Sequence, residues 1–166
     1  MTARVRKKTN SPPAVALEIV RTSDLWRAEP RAAATVRRAV AAAAKACGRA
    51  PRNAALTLAL ADDSTVQALN REWRGRDAPT NVLSFPAAAA AAPDTPAFLG
   101  DIVLAYETVA REAAEQGKPL VDHLAHLAVH GFLHLVGFDH ATDAEAEVME
   151  GLESQILLSL GMPDPW

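Results

Sequence analysis

HLAVHGFLHLVGFDH, residues His126 to His140, is the stretch around which this chain is built. Within it His130, His134 and His140 stand at i, i+4 and i+10. Two histidines four apart on a helix are separated by about 6 Å along the axis and roughly 40° around it, so their rings converge on one point. Gly137 follows, a residue free to take the left-handed conformation that ends a helix, after which the chain can fold back and deliver His140. Three neutral imidazoles on one ion leave a fourth position open, the pattern of a catalytic rather than a structural zinc. The expectation is one Zn2+ per chain, held by His130, His134 and His140.

Around the histidines, a helix from Pro119 to Val136 is apolar on nearly every side through Leu124, Leu127, Val129, Phe132, Leu133 and Leu135. Such a helix is central and buried. His126, His130 and His134 make a polar stripe on it, and a buried polar stripe needs a cleft, a metal or hydrogen-bond partners. The outer pair of the stripe lie about 12 Å apart along the axis, too far to share an ion. His126 is therefore read as a group beside the metal or a substrate contact, and His123 as a capping or solvent-facing residue. Asp139 is a candidate acid/base group or hydrogen-bond acceptor beside the metal, and equally a turn residue serving only the backbone.

Upstream, Val15, Leu17 and Ile19 alternate with other residues and mark a strand, and Ala32 to Cys47 reads as an alanine-rich helix closed by Gly48. Leu56, Leu58 and Leu60 alternate again. A helix from Ser64 carries Val66, Leu69 and Trp73 on one side and stops near Gly75; Asn81 to Phe85 and Asp101 to Ala105 read as strands, and Tyr106 to Gln116 as a helix. Thr142 and Glu145 form a capping box for a last helix with Val148, Met149, Leu152 and Ile156 on its buried side. The expected fold is α+β: a single domain over 14–162, a small mixed sheet of about four strands packed with about five helices, and the metal site on a central buried helix. Residues 1–13, with Arg4, Arg6, Lys7 and Lys8, read as a disordered basic arm, and the Ala/Pro segment 87–97 as a mobile loop.

Composition narrows the function classes. A chain of 166 residues with 49% hydrophobic but only 5% aromatic residues suits one aliphatic core. Its one cysteine, Cys47, excludes an internal disulfide and suits a reducing cytoplasm. No apolar run reaches the roughly 18 residues of a membrane span, so a cytoplasmic protein without membrane attachment is expected. The formal charge of -3 excludes a wholly basic nucleic-acid coat, and RNA contact must come from local patches.

The histidine spacing is also that of metzincin proteases, HExxHxxGxxH, where the residue after the first histidine is the glutamate base. Here that residue is Gly131, which argues against peptide hydrolysis and is read as leaving room beside the metal for a bulky phosphodiester.

Three motifs, taken together, resemble the YbeY family of bacterial metal-dependent endoribonucleases. HLAVHGFLHLVGFDH is similar to its metal signature, with Phe138 where tyrosine is common. LNREWRGRDAPTNVLSFP, Leu69 to Pro86, resembles its second signature, with Trp73 where an aromatic is usual and Asn81 where aspartate is more frequent; LGDIVLA, Leu99 to Ala105, matches the third. The Ala/Pro segment departs from the family, which often has acidic residues there. The resemblance implies zinc at the three histidines, an important arginine at Arg74, and cleavage of ribosomal RNA in maturation and quality control. It also implies ribosomal RNA or the small subunit as partner, with ribosomal or GTPase proteins as further candidates and a monomeric chain.

A guanidinium at Arg74 offers a donor fork matched to phosphate oxygens. Arg71 and Arg76 flank it as candidates for holding an RNA backbone, and Asn81 and Ser84 as substrate contacts. No general base is assigned: Asp139 and His126 both remain open. Two alternatives stand beside the nuclease: a ribosome-assembly or RNA-binding factor that does not cut and uses the metal structurally, and a metal-dependent hydrolase of another substrate.

Overall fold

A computed structural model describes residues 15–88 and 97–166. The expected basic arm at 1–13, and residues 89–96 of the Ala/Pro segment, lie outside the described residues. The alternating segments form strands β1 (Ala16–Arg21), β2 (Ala55–Ala61), β3 (Val82–Pro86) and β4 (Phe98–Ala105). They lie in one sheet in the order β1-β2-β4-β3. β1 and β4 run parallel to β2, pairing Leu17 with Leu56 and Leu58 with Ile102, whereas β3 is antiparallel to β4 and sets Ser84 opposite Ile102. Five α-helices complete the α+β fold among the described residues: α1 (Ala32–Cys47), α2 (Asp63–Arg74), α3 (Tyr106–Glu115), α4 (Leu120–Leu135) and α5 (Asp143–Ser159).

The strand period of two divides the side chains between two cores. Leu56, Leu58, Leu60, Ile102 and Leu104 face a core shared with Val36 and Val40 of α1, Phe132 and Leu133 of α4, and Met149 and Ile156 of α5. Ala61, Leu83, Val103 and Ala105 pack instead with Val66 and Leu69 of α2. α4 touches α1, α3, α5, β3 and β4, which accounts for its being apolar all round. α1 lies against it with a buried side made largely of Ala39, Ala43 and Ala44. α2 and α3 cap one another: the Asp63 N–H donates to Glu107 Oε2 at 2.8 Å, and Thr108 Oγ1 donates to Asp63 Oδ1 at 2.7 Å.

Three features differ from the sequence reading. A 3₁₀ helix over Asp24–Ala28 was too short to show a period, yet it buries Trp26, whose Nε1–H donates to the Ala61 carbonyl at 2.7 Å. β4 begins at Phe98 rather than Asp101, because Gly100 allows the backbone to run close beside the Phe85 carbonyl, where a Cβ would collide at 2.1 Å. On α5 the capping box of Thr142 and Glu145 is present, but Val148 is 59% exposed. The buried stripe there is Met149, Glu153 and Ile156; a glutamate at its centre disguised the true face. Among the described residues no helix is long and apolar enough to cross a membrane.

Candidate metal centre

α4 ends in the turn that the third ligand needs. Gly137 adopts φ +94°, its N–H donating to the His134 carbonyl at 3.1 Å, and the Phe138 N–H donates to the Leu133 carbonyl at 3.0 Å. Phe138 then packs against the main core with the Arg49 guanidinium 3.9 Å above its ring. Asp139 is exposed, and its carboxylate accepts from the His140 N–H at 2.8 Å, fixing the backbone of the returning segment.

His130, His134 and His140 each offer a donor nitrogen, and these lie within 4.8 Å of one another. The Nε2 atoms of His130 and His134 are 3.1 Å apart. Zinc at about 2.0–2.1 Å from each of two tetrahedral ligands sets them roughly 3.3 Å apart, so the pair fits such an ion with little movement. His130 and His134 are half-buried and His140 is exposed, which leaves one side of the cluster open to solvent.

A carboxylate that the sequence reading did not single out orders this cluster. Glu153, 1% exposed, accepts from His130 Nδ1 at 2.6 Å and from His126 Nε2 at 2.8 Å. With the carboxylate ionised, both nitrogens carry the protons, and the neutral form of His130 has its free lone pair on Nε2, facing His134 and His140. Burial pushes the Glu153 pKa up, but the hydrogen bonds from His126 and His130 outweigh it and bring the pKa down to about 2. His134 is held below the ordinary imidazole range by burial and by His130 and His140, against a backbone hydrogen bond with Phe138 that raises it. A neutral ring with a free lone pair is what metal ligation requires. The signal in the sequence was an acidic residue interrupting the apolar stripe of α5, where burial of a carboxylate demands a partner.

His126 therefore lies beside the cluster, attached to Glu153. His123 is neither capping nor solvent-facing: it is buried, and its Nε2 meets Glu112 Oε2 at 2.7 Å. Three further steps toward the helix N-terminus turn it onto α3, which the sequence had no means of placing. Asn81 joins the same group, donating from Nδ2 to Glu112 Oε2 at 2.9 Å and accepting from the Val82 N–H at 2.7 Å.

Gly131 does not open room beside the metal. A Cβ there would stand 3.0 Å from Ser84 Oγ and 3.1 Å from Ile102 Cγ2, so the glycine lets α4 press onto β3 and β4. The Ser84 hydroxyl donates to the Gly131 carbonyl at 3.2 Å across that contact. The metzincin glutamate is excluded here by packing as well as by sequence.

Arg74 lies on the far side of β3. Its Nη2 donates to the Ser84 carbonyl at 2.7 Å, and its guanidinium sits 5.5 Å from the Phe85 ring centroid. The cleft it lines, about 640 Å³, also holds Trp73, Phe85 and Asp101 and none of the three histidines. Burial pushes the Asp101 carboxyl up, another residue the sequence reading passed over. Arg71 and Arg76 are exposed at the same end of α2, Arg71 with an ion pair to Asp77 at 3.5 Å. The structure thus gathers His126, His130, His134, His140 and Asn81 at one place, and Arg71, Arg74 and Arg76 at another, joined through Ser84.

Fold and site together define a mixed-sheet α+β protein with a solvent-open cluster of three histidines, able to hold a metal ion, at the end of its central helix. The family model described as Endoribonuclease YbeY matches residues 20–161, and the chain belongs to that family. A Rhodopseudomonas palustris (strain BisA53) protein named Endoribonuclease YbeY is 54% identical over 158 residues, covering 93% of this chain and 91% of that one. One of the same name from Bradyrhizobium diazoefficiens is 50% identical over 166 residues, covering 97% and 91%. The solution structure of TM1509 from Thermotoga maritima aligns with a TM-score of 0.52 at 20% identity, over 87% of this chain and 91% of that one, and shows the fold.

Proposed function

We propose that this chain is a metal-dependent endoribonuclease that uses one zinc ion at His130, His134 and His140 and acts in the cytoplasm on ribosomal RNA precursors or defective small subunits. The observation that carries the reading is the convergence of three imidazoles, one fixed in its ligating tautomer by a buried glutamate, on a face open to solvent. The names of the relatives support the activity. The main core is assembled from buried residues of α1, α3, α5, β2 and β4 and of the short 3₁₀ helix besides the ligand helix, which favours a catalytic over a structural ion.

Zinc, when bound, supplies Lewis-acid polarisation of a phosphoryl oxygen or of water. Glu153 orients His130, and Asp139 holds the segment that brings in His140. These contacts fix the rings before substrate arrives, so no ordering is left for the moment of reaction. Arg74 spends one donor on the Ser84 carbonyl and keeps the rest of its fork for a phosphate of the bound strand. Arg71 and Arg76 add a salt-dependent contribution to backbone binding. His126 is committed to Glu153 and serves as a positioning residue.

Protein purified without an affinity tag is expected to contain zinc and to cut structured RNA, with both lost in His134→Ala. Cleavage that survives chelation and this substitution belongs to a contaminant and defeats the reading. End-group analysis of the products separates attack by water, which leaves linear ends, from attack by the 2′-hydroxyl, which leaves a cyclic phosphate.

A further inference from the structure

A second cleft, about 680 Å³, opens beside the histidine cluster and shares His130 with it. Its walls include Asn81 just before β3, Gln116 and Lys118 between α3 and α4, His123 and His126 of α4, and Trp166 in the segment after α5. Nothing in the metal chemistry uses the Trp166 end of this cleft.

Trp166 is 63% exposed, an unfavourable place for the largest apolar side chain unless something covers it. Its position is nevertheless held. The Asp164 carboxylate accepts from the Ser154 hydroxyl of α5 at 2.7 Å and from the Trp166 backbone N–H at 3.2 Å, and these two bonds keep the Asp164 pKa low. The indole meets the buried His126 ring edge-to-face, with centroids 5.2 Å apart. His126 is in turn fixed by Glu153, so the chain of contacts runs from the indole to the ligand His130.

The cleft thus combines a fixed aromatic surface, an ammonium at Lys118, and amides at Asn81 and Gln116. A flat π-face with a cation and amide groups beside it is the equipment for an unpaired nucleotide: stacking for the base, charge for the phosphate, amides for the base edge. An apolar peptide would find the wall too polar, and a duplex offers no free base face.

We infer that Trp166 is a stacking platform for an unpaired base of single-stranded RNA, next to the nucleotide whose phosphodiester reaches the histidine cluster. The site rests on the endoribonuclease reading and names where its substrate is gripped. It selects strands with at least one unstacked base near the cut and tolerates any base there, because every base has a π-face.

The test measures equilibrium binding of a short single-stranded oligoribonucleotide to the full chain stripped of metal by a chelator, so that no strand is cut, alongside cleavage by the zinc-loaded protein. Trp166→Ala is expected to bind about tenfold more weakly, the scale of one base–aromatic stack. Trp166→Phe should restore most of the affinity, and neither variant should change zinc content or melting temperature. In a Trp73→Phe background, where the remaining Trp26 is buried away from any strand, the Trp166 share of the fluorescence should be quenched by the single strand and unaffected by a blunt duplex of equal length. Wild-type binding and cleavage with unchanged affinity in Trp166→Ala overturn the platform and leave the nuclease standing. A wild-type chain that neither binds nor cuts RNA overturns both.

Discussion

β3 separates two clefts that differ in how their key side chains are held. Asn81 and Val82 line the one that contains His130, whereas Phe85 and Pro86 line the one that contains Arg74. His126 and His130 are fixed from behind by a glutamate that is 1% exposed and takes one hydrogen bond from each, while the other nitrogen of His126 is buried without a partner. Arg74 is exposed, and one hydrogen bond to a strand carbonyl and a ring at 5.5 Å are what restrain it. Buried polar networks are costly to break, while exposed charges are costly only to whatever they bind. The first cleft therefore ties its key side chains to the stability of the fold, and the second leaves function separable from stability.

Substituting Glu153 by Ala should produce the largest effect. Two imidazole N–H groups lose their acceptor in the interior, so unfolding by urea should show a loss of about 3–5 kcal/mol in metal-free protein. Zinc affinity, read by competition with a chromophoric chelator, should fall by roughly 10–100-fold because His130 is no longer held in its ligating tautomer. A variant with native stability and native affinity would erase the contrast between the clefts.

Arg74→Ala is the converse. Melting temperature and zinc content should stay near those of the parent, since exposed substitutions seldom shift stability by more than about 0.5 kcal/mol. RNA cleavage at subsaturating substrate should fall by about 10–100-fold, the scale of one lost charge-assisted hydrogen bond to a phosphate of the strand. Unchanged cleavage removes Arg74 from the mechanism; lost zinc would mean that the two clefts are coupled through Ser84 after all.

That connection through Ser84 also marks how far the sequence could be read. The ligand helix, its glycine turn and the capping box of α5 were legible because each rests on a local pattern: four-residue spacing, a glycine after the last periodic residue, Thr142 three before Glu145. Glu153 was not legible, since its meaning depends on α5 lying beside α4, and a lone acidic residue in an apolar stripe has no address until that packing is known. His123 was misplaced for the same reason, its partner Glu112 being on another helix. Gly131 was noticed but given the wrong cause. Absence of a side chain shows that space is needed; only the neighbours, Ser84 and Ile102, show that the space is taken by the protein itself.

Gly131→Ala puts a number on that close contact. The added methyl meets Ser84 Oγ and Ile102 at 3.0–3.1 Å, and overpacking of this kind costs about 1–3 kcal/mol. Replacing a helical glycine by alanine recovers about 1 kcal/mol. The net should be a destabilisation of roughly 1 kcal/mol in urea titration, with the Ser84 hydroxyl turned away from the Gly131 carbonyl. A stabilised variant would show that β3 yields easily and that α4 does not need the close approach.

The smallest effect belongs to the far end of the helix that carries Arg74. Asp62 caps α2, accepting from the Thr65 N–H at 2.9 Å and from the Ser64 hydroxyl at 3.2 Å, and the hydrogen bonds with Thr65 come first among the causes that lower its pKa. Asp62→Ala should cost about 1 kcal/mol near neutral pH, the usual worth of a cap. A carboxylate whose folded pKa lies below its unfolded one stabilises the fold fully above the unfolded value, and loses that contribution as pH falls through the folded one. The titrating part of the cap should thus fade only below about pH 4, the ordinary carboxylate range. Asp62→Asn, which caps without titrating, separates the two parts: its stability relative to the parent should improve as pH drops from 5 toward 2. A parent and an Asn variant that track each other across that range would show that the charge on Asp62, set against the positive end of α2, contributes nothing, and that geometry alone holds the helix on which Arg74 is mounted.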